Sequence, residues 1–190
     1  MRCVLVGPPG AGKGTQAQFL AAHYLIPHIS TGDIFRANLK AGTELGIQAK
    51  GFMDRGELVP DSVTNEMVKD RLTHDDVTNG FLLDGFPRNV AQAEVLRGIL
   101  AEKKTPLHAV LEFSLADEEI IARLLQRAEI EKREDDKEDV IKRRLEVYAE
   151  QTAPIISFYR NEGLLISISA VGNIEDITAN AISALSRLAQ

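Results

Sequence analysis

Residues Met1 to Thr15 read Met-Arg-Cys-Val-Leu-Val-Gly-Pro-Pro-Gly-Ala-Gly-Lys-Gly-Thr, an apolar run that feeds a glycine-rich turn, and Gln16 to Tyr24 continue with helical character. A strand, a loop and a helix in that order make an anion cradle. The glycines let backbone N–H groups converge on a phosphate chain, the start of the helix adds the positive end of its dipole, and Lys13 adds a full charge. Gly7, Gly12 and Lys13 match the pattern G-x-x-x-x-G-K. The next position of the generic motif is Ser or Thr, whereas here it is Gly14 and the hydroxyl comes one residue later, at Thr15. The stretch is therefore a variant phosphate loop, suited to a nucleoside triphosphate. A glycine-rich turn with no ligand is the alternative, but it does not require the flanking strand and helix.

Outward from this loop, four more apolar runs are candidate strands: His28-Ile29-Ser30, Phe81 to Asp84, Ala109 to Ser114 and Leu164 to Ile168. Helical patterns separate them. This alternation predicts an α/β protein with a five-stranded parallel sheet covered on both faces and ligands beyond the carboxyl ends of the strands. Between the second and third strands, Thr31 to Arg36 opens a helix, Ala41-Gly42-Thr43 breaks it, and a second helix runs to about Arg55, so a small helical insert is expected before Pro60. Asp61 is a plausible N-cap for a helix through Leu72. Further on, Ser114-Leu115-Ala116-Asp117 has the form of a capping box, and the helix after it aligns Ile120, Ile121, Leu124 and Leu125. Glu129 to Asp139 is almost without apolar residues and reads as an exposed loop or a solvated helical continuation. The next helix is expected to bury Val140, Ile141, Leu145 and Tyr148, with Arg144 on the same side and Arg143 paired at the surface with Asp139. Pro154 should break this helix, with Thr152 capping the next. Gly172-Asn173 should start the closing helix of Ile174, Ile177, Ile182 and Leu185.

The composition narrows the function. The chain has 190 residues, enough for one main core, and 22 basic residues against 28 acidic ones give a net charge of −6, which disfavours a general nucleic-acid binder. No Trp and only seven Phe and three Tyr leave little for an aromatic stacking platform. Cys3 is the single cysteine, expected in the core. It rules out an intrachain disulfide and a multi-cysteine zinc site, and it fits a reducing compartment. The run Cys3 to Val6 is too short for a signal sequence and no stretch approaches a membrane span, so a cytoplasmic protein is expected. No exposed heptad or apolar stripe argues against a monomer.

A second unusual strand end is Asp84-Gly85-Phe86-Pro87-Arg88. An acid there suits Mg²⁺, directly or through water, Gly85 permits close approach of backbone to ligand, and Arg88 offers a planar fork to a phosphate. A turn stabilised by its own Asp and Gly would look similar in isolation. Its pairing with the loop at Lys13 favours function.

These residues together resemble the nucleoside monophosphate kinase family, and most closely its adenylate kinases of the short-lid bacterial type. The resemblance is carried by Gly7 to Thr15, Ser30-Thr31-Gly32-Asp33 with Arg36, Glu57-Leu58-Val59-Pro60, Asp84 to Arg88 with Gln92, Arg133-Glu134-Asp135-Asp136, and Arg144-Leu145 followed by Tyr148, spanning nearly the whole chain. It implies a P-loop three-layer fold: a core of residues 1–29, 60–125 and 137–190, a helical NMP-binding insert at 30–59, and a short lid at 126–136. It also implies transfer of a phosphoryl group from MgATP to AMP, giving two ADP. Thr31, Gly32, Arg36, the backbone at Glu57, Leu58 and Val59, Gly85, Phe86, Pro87, Arg88 and Gln92 would hold AMP, with Arg36 and Arg88 on its phosphate and Gln92 on adenine. Gly10, Ala11, Gly12, Lys13, Gly14 and Thr15 would hold the ATP phosphates. Arg123 would lie against the ATP base, Arg127 would reach the triphosphate, and Gly172 would border the adenine. Arg133 and Arg144 would close on the group in flight, and Asp84 would bind Mg²⁺, chiefly through water.

The sequence departs from the long-lid relatives. The cysteines that bind structural zinc in some of them are absent, Gln126 replaces a common glycine, and Glu134 adds an acid beside Arg133. A pyrimidine-specific kinase would share the loop and the Asp-Gly-Phe-Pro-Arg segment, but such relatives usually have Ala where Thr31 stands. A nucleotide switch without turnover would need neither so many arginines nor AMP, and the Asn-Lys-x-Asp base-reading motif of GTPases is missing.

Overall fold

The computed structural model describes residues 1–131 and 137–187. Five parallel strands form one sheet: β1 (Arg2–Val6), β2 (His28–Ser30), β3 (Phe81–Asp84), β4 (Ala109–Ser114) and β5 (Leu165–Ser169), in the spatial order β2-β3-β1-β4-β5. Val4 of β1 stands opposite Leu83 of β3 and Val110 of β4. The strand order reverses beside β1, so the loop that leaves β1 opens into the crevice where sheets of this kind take ligands.

Side-chain alternation divides the core into two layers. Cys3 and Leu5 point to one face, where Ala17 and Leu20 of α1 (Lys13–Tyr24) and Ile177, Ala181 and Leu185 of α9 (Ile174–Ser186) cover them. Val4 and Val6 point to the other. There they meet Val68 of α4 (Asp61–Arg71), Ala93 and Leu96 of α5 (Val90–Glu102), and Ile155 and Tyr159 of α8 (Pro154–Asn161). Cys3, Val4, Leu82 and Leu83 are completely buried. Each buried Val or Leu contributes roughly 1.5–3 kcal/mol, so the β1–β3 seam from which both ligand loops spring is firmly held.

The insert consists of α2 (Thr31–Lys40) and α3 (Glu44–Asp54), joined across the predicted break and packed around Phe35, Ala49 and Val59. Ser30 caps α2 by accepting a bond from the Asp33 amide, and Thr43 caps α3 by accepting one from Gly46. On the other side of the cleft, α6 (Asp117–Glu131) and α7 (Glu138–Val147) share a small core of Ile120, Leu124 and Ile141.

Several local expectations are corrected. Asp61 is the first residue of α4 rather than its cap, because its carboxylate turns inward to Asn89 and Gln92. Ser114 ends β4 and its hydroxyl donates to the Ile168 carbonyl, so there is no capping box; the Ala116 carbonyl takes the first helical bond, from Ile120. Only Ile120 and Leu124 of the expected stripe are buried, and Ile121 and Leu125 face outward. Helical structure continues to Glu131, into the stretch expected to be lid loop. In α7 the buried residues are Val140, Ile141 and Val147, and Arg143 pairs with Glu146 at 3.0 Å, one turn on, instead of Asp139. Pro154 ends the preceding helical run as expected and stands at the first position of α8. A wide π-type turn at Tyr148–Thr152 leads into α8, and Thr152 gives its hydroxyl to the Arg88 carbonyl instead of capping. No helix among the described residues is long and apolar enough to cross a membrane.

Candidate active site

The loop after β1 folds back so that Lys13, at the start of α1, donates from Nζ to the carbonyls of Gly7 at 2.7 Å and Pro8 at 2.9 Å. The first amides of α1 lack intrahelical partners by construction and point to the same space. Gly10 lies against α6: a Cβ there would come within 2.9 Å of Leu124 Cγ, and its φ of +85° is one that side chains resist. The phosphate loop is therefore seated on the helix that carries Arg123 and Arg127.

Burial lowers the pKa of Lys13 to about 8. Asp84 pulls it back up, while Arg88, Arg144 and Arg127 push it down. Asp84, at the end of β3, is largely enclosed, which alone would raise its pKa, but the neighbouring His28 ring and the charges of Lys13 and Arg88 hold it below the ordinary carboxylate range. His28 Nε2 stands 3.6 Å from Asp84 Oδ2. A Cβ on Gly14 would lie 3.7 Å from Asp84 Oδ2, so glycine at this position keeps open the space between loop and carboxylate. An ionised, partly enclosed carboxylate facing an anion-binding loop across such a gap fits a hydrated divalent cation. Among the described residues no group of three or more His, Cys, Asp and Glu is arranged to hold a metal ion.

The cleft beyond the loop has an open volume of about 740 Å³. Gly10, Ala11, Gly12, Lys13, Gly14 and Thr15 form its floor. Asp84, Gly85, Pro87 and Arg88 form the β3 side, and Arg123, Arg127 and Gly172 form the far side. Arg123 Nη2 donates to the Ala170 carbonyl at 3.0 Å, which fixes it beside the turn containing Gly172. A narrower recess opens towards the insert, lined by Thr31, Gly32, Arg36, Glu57, Leu58, Val59, Gly85 and Gln92. Arg36, Arg88 and Arg144 line both spaces, so cleft and recess are two ends of one cavity. Among the described residues, six Lys and Arg side chains border that cavity in a chain of net charge −6: Lys13, Arg36, Arg88, Arg123, Arg127 and Arg144.

Arg88 is held at three points. Its Nε donates to the Gly85 carbonyl at 2.9 Å, its amide donates to Gln92 Oε1 at 2.7 Å, and its carbonyl accepts from Thr152 at 2.8 Å. Gly85, with φ +81°, brings its own carbonyl to Thr31 Oγ1 at 2.8 Å, and a Cβ there would come within 2.6 Å of that oxygen. Arg36 is paired with Asp33 within α2.

Phe86 is the site residue that the structure moves elsewhere. Its side chain is fully buried in the core beneath the sheet and lines neither part of the cavity, because the residue after Gly85 turns inward to anchor the loop. Arg133 and its neighbours up to Asp136 lie outside the described residues. His28, Thr152 and Asp61 also shape the site although the sequence reading assigned them no role there. Their importance lies in tertiary partners, and no local pattern signals it.

Comparison with known proteins agrees with this geometry. The family model described as adenylate kinase matches residues 5–164. An adenylate kinase of Thermobifida fusca is 60% identical over 185 residues, covering 97% of this chain and 98% of the relative. One from a Nocardioides species is 52% identical over 185 residues, with 97% of each chain covered. One from Streptomyces avermitilis is 49% identical over 215 aligned positions, covering 98% of each chain, so that relative carries residues this chain lacks. With its phosphate loop, twin-ended cationic cavity and near full-length similarity to these proteins, the chain belongs to the adenylate kinase family.

Proposed function

We infer that the chain catalyses reversible transfer of the γ-phosphoryl group from ATP to AMP, giving two ADP. The observation that carries this reading is the continuity of the cavity: Arg88 and Arg144 border both the phosphate-loop cleft and the recess towards Gln92. A donor held at one end and an acceptor at the other would meet at these arginines.

The acceptor is a phosphate oxygen already largely ionised near neutral pH, so no general base is needed. The physical difficulty is bringing two polyanions into line and keeping water away. Lys13, Arg127 and Arg144 offset the charge of the donor, Arg36 and Arg88 that of the acceptor, and Arg88 with Arg144 stabilises the charge spread over the transferring group. Arg133, from its place in the family motif, completes this set. Thr31, Gly32, the Glu57–Val59 backbone, Gly85, Pro87 and Gln92 hold the monophosphate, while Arg123 and Gly172 border the adenine of ATP. Asp84 would hold Mg²⁺ through water, with Thr15 nearby at the start of α1, and the bound ion would supply positive charge to the phosphates of ATP. No structural zinc enters this reading.

The insert at 30–59 and the lid at 126–136 close over the cavity and exclude water, so that ATP is not wasted on hydrolysis. The protein acts as a cytoplasmic monomer on ATP, AMP and ADP, without nucleic acid or membrane partners. A coupled assay with ATP, Mg²⁺ and AMP, CMP or UMP tests the reading. ADP formation should depend on AMP and be far slower with either pyrimidine; equal rates with CMP or UMP, or none with AMP, would refute it.

A further inference from the structure

We propose that Asp61 sets the base specificity of the recess by fixing which way the Gln92 carboxamide faces. The proposal rests on the reading of Gln92 as the residue that meets the acceptor base. Gln92 is 2% exposed, yet it lines the recess, so only one edge of its side chain is presented to a ligand. Its Nε2 donates to Asp61 Oδ1 at 2.7 Å, and its Oε1 accepts from the Arg88 amide at 2.7 Å. A carboxylate offers only acceptors and an amide N–H is only a donor, so exchanging the oxygen and nitrogen of Gln92 would set like against like at both ends.

The remaining valences are therefore determined: one N–H on Nε2 and one lone pair on Oε1. That pair is complementary to a six-membered ring with an acceptor at N1 and an amino group on C6, as in adenine. It is mismatched to the inverse pattern, N1–H beside a 6-oxo group, as in hypoxanthine. Asp61 is itself held by Asn89, whose Nδ2 lies 3.0 and 3.1 Å from the two carboxylate oxygens, while Asn89 Oδ1 accepts from the Gln92 amide at 2.8 Å. Asp61 thus binds both the side chain that reads the base and the cap of the helix that carries it. It acts as a positioning residue, and does not line the recess.

The test compares kcat/KM for AMP and IMP, with ATP as donor, in the wild type and in Asp61→Asn. The isosteric amide presents either a donor or an acceptor to Gln92 and so removes the enforced orientation on that side. The AMP-over-IMP preference should fall by roughly 10-fold or more, the scale set by a buried polar group that loses its partner, with the KM for ATP unchanged. A loss shared equally by AMP and IMP would mean that Asp61 serves only stability, and would overturn the proposal. A wild type that makes no ADP from ATP and AMP would instead refute the functional reading beneath it. Independently of any variant, the Gln92 side-chain amide proton that faces Asp61 should be protected from solvent exchange in the nucleotide-free protein, and equally rapid exchange of both amide protons would overturn the fixed orientation.

Discussion

The lowered pKa of Lys13 makes proton uptake an expected part of ATP binding. In the nucleotide-free protein burial and three neighbouring arginines bring the group from 10.5 to about 8. Bound phosphates add negative charge beside it and favour the protonated form, returning its pKa towards the ordinary lysine value. A recovery of about 2.5 units corresponds to on the order of 3 kcal/mol, an upper figure because solvent at the cleft mouth screens part of the interaction. The sign follows from linkage. The complex binds more protons than the free protein between pH of about 8 and 10.5, so affinity falls as pH rises through that window and is level below it.

At about pH 8.5, free Lys13 is roughly three-quarters neutral and bound Lys13 is charged, so about 0.7 proton is taken up per nucleotide. The terminal phosphate of ATP is fully ionised there and contributes no protons of its own. Calorimetric titration with a non-hydrolysable ATP analogue, in two buffers of different ionisation enthalpy, reads this number directly. Lys13→Arg is the control, since a guanidinium stays charged throughout, and its uptake should vanish. Wild-type uptake near zero, or equal uptake in the variant, would refute the reasoning.

Arg88→Ala and Arg144→Ala should each lower turnover by about 10³-fold, as expected for arginines that meet the transferring group, while Arg143→Ala, whose partner Glu146 lies on the surface, should change the steady-state rate little. Thr152→Val leaves the Arg88 carbonyl without its hydroxyl partner and should cost about 1–2 kcal/mol of stability in denaturant unfolding, together with a several-fold rise in the KM for AMP. Gly85→Ala forces a Cβ into a left-handed φ of +81° and against Thr31 Oγ1. It should lower the melting temperature by several degrees, roughly 2–4 °C for each kcal/mol, in a thermal scan.

The parts of the fold that could be read from sequence are those set by neighbours along the chain. The β1 run, the glycine turn and Lys13 lie within one short segment, and the alternation of strand and helix identifies the parallel sheet before any contact is known. Asp84 and Arg88 were readable for the same reason. Asp61, Thr152 and His28 were not, because each matters through a residue far away in sequence: Gln92, Arg88 and Asp84 respectively. Ser114 shows the reverse error. A local capping pattern was present, but the sheet claimed the residue, since β4 continues through it beside β5. Phe86 sits between two ligand-facing positions in sequence, yet the turn at Gly85 sends its ring into the core.

The central claim is that one cavity holds two nucleotides with their terminal phosphates facing each other across a set of cations. A crystal structure of the protein soaked with ADP and Mg²⁺ tests it most directly. Two ADP molecules should occupy the cavity, one base against Gln92 and the other beside Arg123 and Gly172, with Lys13, Arg88 and Arg144 around the facing phosphates. A single nucleotide in the cavity at saturation, or a second one bound elsewhere on the surface, would contradict it.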